Sequence, residues 1–310
     1  MPAGSTARGT FMVLLATTLW GVGGLFLHQL FELGLSPVQV AFYSSALAAV
    51  TLLVGLLAFA PRQLLLKPRE LPLLLALGLL GEGPSFVLYA TAVALSGVGT
   101  AMLLNYTAPA WVALLAWRFL GEPLDKRRVV ALGATLVGCA LVARVYDAQA
   151  LRLSLPGVLA GLGSGLSWAV FQVLGKRALE VHHPLTVSAF TAGAAALALL
   201  PLQSAPLPLA IGAATWPWLA AFVLGPNVVA PVLFTAGLRT LLAGLASLLS
   251  IWELVIAVLL GVVLLGESLE LPQVAGAALL AISVLALGAV AASEPPAPTP
   301  LPSEVRARRG

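Results

Sequence analysis

Apolar stretches long enough to cross a lipid bilayer follow one another almost without interruption in this sequence. That pattern limits the fold more than any motif does. A helix needs about 20 mainly apolar residues to span the hydrocarbon core. Stretches at about 10–30, 37–60, 71–94, 97–119, 128–146, 156–177, 184–202, 215–238, 241–265 and 271–291 reach or approach that length, bounded by charges, prolines and glycines. Charged residues make up only 9% of the chain's 310, against about 25% in a domain that must solvate its own surface. Such a chain cannot cover a water-facing exterior, which excludes a soluble enzyme, a nucleic-acid reader and a disordered protein. The expected fold class is an all-α integral membrane protein with ten transmembrane helices.

Charge placement gives the orientation. With the N-terminus in the cytoplasm, fourteen of the sixteen Lys and Arg residues fall on the inner side, and only Arg144 and Arg152 fall outside. Positive residues favour cytoplasmic loops, so both termini are expected to be cytoplasmic in a multi-pass protein of the cell (inner) membrane. The first apolar stretch, from Thr10 to about Leu30, exceeds a signal-peptide core and is read as a retained helix. The single cysteine, Cys139, and the three scattered histidines leave no intrachain disulfide and no metal set, so neither metal nor cofactor is expected.

The chain also repeats itself. A shift of 145 residues places Val87-Leu88-Tyr89 on Val232-Leu233-Phe234 and Leu120-Gly121-Glu122 on Leu265-Gly266-Glu267. Slightly larger shifts place Trp20 on Trp168 and Ser36-Pro37 on His183-Pro184. Residues 1–150 and 151–293 therefore read as two five-helix repeats, with 294–310, rich in proline, as a disordered cytoplasmic tail. Five is odd, so the second copy enters the membrane from the other face. The result is an inverted repeat with its site near the midplane, a plan that recurs in secondary transporters.

The paired tryptophans, the Ser-Pro or His-Pro opening the second helix of each half, and LYATAVALSGVGTAMLLNYTAPAWVALLAWRFLGE resemble the EamA family of the drug/metabolite transporter superfamily. The resemblance covers about Phe11 to Ala291. It departs at Leu254, which stands where the first half has Pro109, and at Tyr43, where many relatives carry arginine. The resemblance implies a ten-helix transporter that usually exports small metabolites or drugs.

Two acidic residues, Glu82 and Glu253, lie inside apolar stretches. A carboxylate at the bilayer centre costs at least about 2.5 kcal/mol, so it should face the bundle interior and mark a substrate or proton site, or else bond two helices together. Helical spacing sets Glu82 with Phe86 and Tyr89, and Asn227 with Pro231 and Phe234. It also sets Asn105 and Tyr106 with Met102 and Pro109, and Ser250 and Glu253 with Ser247. These stripes, joined by Trp20, Trp168 and Gln172, form the candidate substrate-binding set. For the aromatic members, ordinary packing and cavity lining both stand as readings. Pro84, Pro109, Pro226 and Pro231 free backbone groups inside apolar stretches, which is tolerated only where protein or water takes those groups up. Gly157, Gly161 and Gly165 form a ridge for close helix packing, within the chain or in a homodimer.

The function expected is a secondary transporter, an exporter of small metabolites such as amino acids, amines or drug-like amphipathic solutes, working by alternating access. Its partners are that small-molecule substrate and membrane lipid, not nucleic acid, with proton coupling through Glu82 or Glu253 as one means of drive. No Walker A motif occurs. The alternatives are an intramembrane lipid-handling enzyme, for which no catalytic constellation is visible, and a passive channel or uniporter. A single-chain inverted repeat argues against a channel, which commonly takes its symmetry from identical subunits.

Overall fold

The computed structural model describes residues 4–147, 154–203, 212–266 and 268–293, which contain helices and turns and no β-strand. In the first half, α1 (Gly4–Glu32) and α2 (Pro37–Phe59) precede a short α3 (Leu71–Ala76). A π-helical segment, Leu77–Glu82, leads from α3 into α4 (Gly83–Asn105), and α5 (Ala108–Leu120) and α6 (Lys126–Val142) follow. The second half holds α7 (Leu155–Ala178), α8 (Pro184–Leu199) and α9 (Thr215–Phe222). A second π-helical segment, Val223–Val229, continues into α10 (Ala230–Thr240), ahead of α11 (Ala243–Ser250), α12 (Trp252–Leu265) and α13 (Leu271–Ser293). The tail expected at 294–310 lies outside the described residues.

Eight helical stretches are long and apolar enough to cross a membrane, and Ala108–Leu120 and Arg128–Val142 are shorter apolar helices. One of the eight, Leu71–Asn105, joins two of the stretches expected from sequence. It reverses at Gly97, whose φ of 79° and ψ of 163° are open to glycine and to few other residues. Contacts with α7 locate the reversal. Ser96 Oγ meets Ser154 Oγ at 3.2 Å at one end of α7, while both Ser85 and Asn105 bond Ser164 ten residues further along.

Local chemistry sets the other boundaries. Ser36 accepts the Gln39 amide while Gln39 Oε1 accepts the Ser36 amide, a capping box that starts α2 at Pro37. Asp125 and Ser154 cap α6 and α7 by bonding the amides of Arg128 and Gly157. Gly121 and Gly266, in the left-handed region at φ 71° and 68°, stop α5 and α12.

Lipid supplies little hydrophobic drive between helices, so association rests on close van der Waals contact through small residues. The most extensive pairings all cross between the halves: α4 on α7, α2 on α8, α6 on α13, and α1 on α10 and α12. The glycine ridge of α7 is consumed inside the chain, with Gly157 against Ser96, Gly161 against Leu104, and Gly165 against the backbone oxygen of Asn105. Gly78 is tighter still, because a Cβ there would stand 2.4 Å from both Thr191 O and Ala195 N of α8.

Two outcomes follow from this packing. Gly78→Ala should destabilise the protein by about 1–3 kcal/mol, since backbone must move to admit one methyl. Gly55→Ala, where a Cβ meets nothing within 4 Å, should be neutral or stabilising by up to about 1 kcal/mol; denaturation in mild detergent compares them. His183 caps α8 by accepting the Leu185 amide on Nδ1, which requires an unprotonated ring nitrogen. Burial, then the nearby Arg239 charge, pull its pKa below the ordinary 6.5. The cap's contribution is therefore complete above pH 6.5 and disappears as pH falls through the lowered value. His183→Ser, which restores the Ser-Pro of the first half, should retain the cap and abolish that acid sensitivity in melts run across pH 5–8.

Candidate functional site

The two π-helical segments sit at matching places in the two halves and carry Glu82 and Asn227. In the second, prolines account for the irregularity. Pro226 has no N–H for Phe222 O, four residues earlier, and Pro231 has none for Pro226 O, five residues earlier. Both carbonyls find side-chain donors: Asn227 Nδ2 donates to Phe222 O at 2.9 Å, and Trp20 Nε1 donates to Pro226 O at 2.9 Å. The Trp20 indole and the Asn227 amide are thus occupied in holding the backbone.

Trp20 also anchors an aromatic group at the centre of the bundle. Its ring lies 5.7 Å from Trp168, edge to face, and 5.1 Å from Phe234. Trp168 stacks on Phe171 with centroids 4.9 Å apart. Phe234 is fully buried beneath the two indoles and has no open face. Phe171 escapes a reading based on polar stripes, although it follows Trp168 by three residues on the same helix face.

The crossings that run through α4–α5 and α11–α12 are each broken near mid-length. Pro109 cannot donate to the Asn105 carbonyl, and the helix stops at Asn105 and restarts at Ala108. The second break falls at Ile251, without a proline, between Ser250 and Trp252. The breaks end the continuous stripes expected from helical periodicity. Asn105 Oδ1 accepts a hydrogen bond from Ser164 Oγ at 2.9 Å, and Ser250 Oγ bonds back to Ser247 O at 2.7 Å. Gln172 is fully buried, its Nε2 3.4 Å from Ser247 Oγ and its Oε1 unpartnered among the described residues. Phe86 is 40% exposed and belongs to none of the packed clusters. Asn105 and Gln172 therefore bond between helices, Asn227 and Ser250 bond back to their own backbone, and Phe86 stands apart.

Five groups remain: Glu82, Glu253, the phenols of Tyr89 and Tyr106, and the indole N–H of Trp168. Each belongs to a residue that is neither fully buried nor fully exposed. None makes a hydrogen bond or ion pair among the described residues, and none is sealed in the core as an orphan. Three of them lie near one another. The Glu253 carboxyl lies within electrostatic range of Tyr89 and Tyr106, and Tyr89 within range of Tyr106. The Glu253 backbone lies against Gly21, the residue after Trp20 in α1. Gly81, the residue before Glu82, packs on Phe171, the stacking partner of Trp168. Two carboxyls, two phenols and an indole, left open in membrane-crossing elements, suit a ligand with a cationic or hydrogen-bonding head and an apolar body. Among the described residues no cluster of three metal-ligating side chains occurs.

The chain resembles known transporters along its length. It is 28% identical over 290 residues to the uncharacterized transporter YwfM of Bacillus subtilis, covering 90% of this chain and 93% of that protein. It is 30% identical over 233 residues to the threonine/homoserine exporter RhtA of Escherichia coli K12, covering 73% and 70% respectively. A solved crystal structure with 21% identity superposes with a TM-score of 0.75 over 91% of this chain and 96% of its own, a likeness of fold. The profile of the EamA-like transporter family matches twice, over residues 7–144 and 155–289. With apolar helices throughout and both halves matched, this multi-pass membrane protein belongs to the EamA-like transporter family.

Proposed function

We propose that the protein is a secondary transporter that exports small amine-bearing metabolites or amphipathic cations by alternating access around a midplane cavity. The observation that carries the reading is the set of five open polar groups. A polar group in a membrane-crossing element needs a partner, and a carboxyl needs one most. Where the protein offers none, water, a proton or a substrate must supply it. Glu253, within electrostatic range of Tyr89 and Tyr106, would serve a cation with aromatic rings nearby, and Glu82 offers a second carboxyl at the π-helical segment. A carboxyl that accepts either a proton or an ammonium group exchanges one for the other, which couples export to proton entry.

The architecture proposed is ten crossings, counting the reversal at Gly97 and the two shorter apolar helices, in two inverted halves at 1–150 and 151–293. Support comes from the doubled family match, the paired π-helical segments and the paired helix breaks. The excess of Lys and Arg on one side supports a topology with both termini in the cytoplasm. An exporter of the amino acids threonine and homoserine is among the relatives, which favours substrates bearing an ammonium group.

Reconstituted in liposomes and screened against amino acids, amines, sugars and nucleotides, the protein should show counterflow with amine-bearing solutes. Glu253→Gln and Glu82→Gln should each lower that counterflow by about 10- to 100-fold, the loss of one charged contact, and flatten its pH dependence at normal protein levels. Wild-type counterflow in both variants would sink the cation site. For orientation, cysteines at Lys126 and Glu32 in a Cys139→Ala background should react with impermeant maleimide from opposite faces, Lys126→Cys from the cytoplasm. Reaction of both from one face would remove the proposed topology.

A further inference from the structure

The two long broken crossings touch each other unequally. The cytoplasmic lengths, α5 and α11, lie against one another, while α12 packs on α1 and α13 and makes no comparable contact with α4. At the closed end, Glu122 is 7% exposed. Gly121 in its left-handed conformation turns the chain so that the next residue, Glu122, meets the start of α11. Glu122 Oε1 accepts the Ala243 amide at 2.6 Å and Oε2 accepts the Gly244 amide at 3.1 Å. The N-cap residue of α11 is Leu242, which supplies no side-chain acceptor. A carboxylate from the other half therefore performs the capping, with charge-assisted bonds and a favourable helix dipole.

The same turn is held from its other side. Lys176 Nζ donates to Leu238 O at 2.7 Å and Arg239 O at 3.2 Å, two of the last carbonyls of α10, and to Leu241 O just beyond it. Glu122 lies within electrostatic range of this ammonium. Arg177 Nη2 reaches across to Phe119 O, at the end of α5, at 2.5 Å. An anion thus sits on the N-terminus of one helix, a cation on the C-terminus of the preceding one, and a guanidinium ties the end of α5 to α7.

We infer that Glu122 is the latch of a cytoplasmic gate. Its carboxylate joins the end of α5 to the start of α11 and holds the protein in an outward-open state. Inward opening requires these two bonds to break, because α11 cannot leave α5 while its first amides are bound there. The inference rests on the orientation and alternating access proposed above, and its test separates the two.

Take reporter cysteines one at a time in a Cys139→Ala background in membrane vesicles: Ala246→Cys, fully buried one turn into α11, and Met102→Cys on the opposite, outer length of α4. Glu122→Gln weakens the latch at the carboxylate. Ala243→Pro weakens it at the donor and leaves the carboxylate in place, since proline suits the first helical position and Leu242 already has extended backbone at φ −66°, ψ 143°. Each should raise impermeant maleimide labelling of Ala246→Cys from the cytoplasmic face about tenfold and lower labelling of Met102→Cys from outside. Local fraying of α11 raises the first rate without lowering the second, and that result overturns the latch. Unchanged rates at both reporters in either well-expressed variant overturn it as well. Exposed Leu124→Cys reports orientation; if it labels from outside, the topology falls while the paired reporters still decide the latch on the reversed faces.

Discussion

Inside a bilayer there is no water to take up a freed carbonyl or amide, so each break in a helix has to be repaired by the protein itself. This protein breaks its helices repeatedly, at two π-helical segments, at Asn105–Ala108 and at Ile251. The repairs are specific. Trp20 and Asn227 answer the carbonyls released by Pro231 and Pro226. Each unsatisfied buried group would cost about 1–3 kcal/mol, so the breaks and their repairs stand or fall together.

The repairs also divide the polar side chains into two kinds. Donors used on the backbone, such as Trp20 and Asn227, fix the position of the aromatic group and of the second π-helical segment. Groups left open beside them, Trp168, Tyr89, Tyr106, Glu82 and Glu253, are held by packing and by helix geometry rather than by polar partners. An aromatic group already packed together limits what must be ordered when a solute arrives, which supports the binding role proposed for the open groups.

How far the sequence could be read depended on whether a feature is local. Apolar length, the Ser36 capping box, the Asp125 and Ser154 caps and the glycine stops at 121 and 266 act through bonds within a few residues. Sequence spacing shows them. Site membership was less legible. Periodicity put Phe86 with Glu82 and Tyr89, yet Phe86 is exposed and packs in none of the buried clusters. It treated Phe234 as a wall residue, although two indoles cover it. It missed Phe171, whose importance lies in stacking on Trp168.

Composition, charge placement and internal repetition are properties of the chain as written. By themselves they fixed a lipid-embedded helical protein whose two halves are built alike, because transfer into a bilayer is decided residue by residue along each stretch. The tertiary structure alone decided which polar groups are spent and which stay open, and that Glu122 caps a helix in the other half 121 residues away. A carboxylate, an indole or an amide has the same donors and acceptors wherever it occurs. Its role depends on which orphaned backbone group lies within about 3 Å, and that distance exists only once the halves have packed.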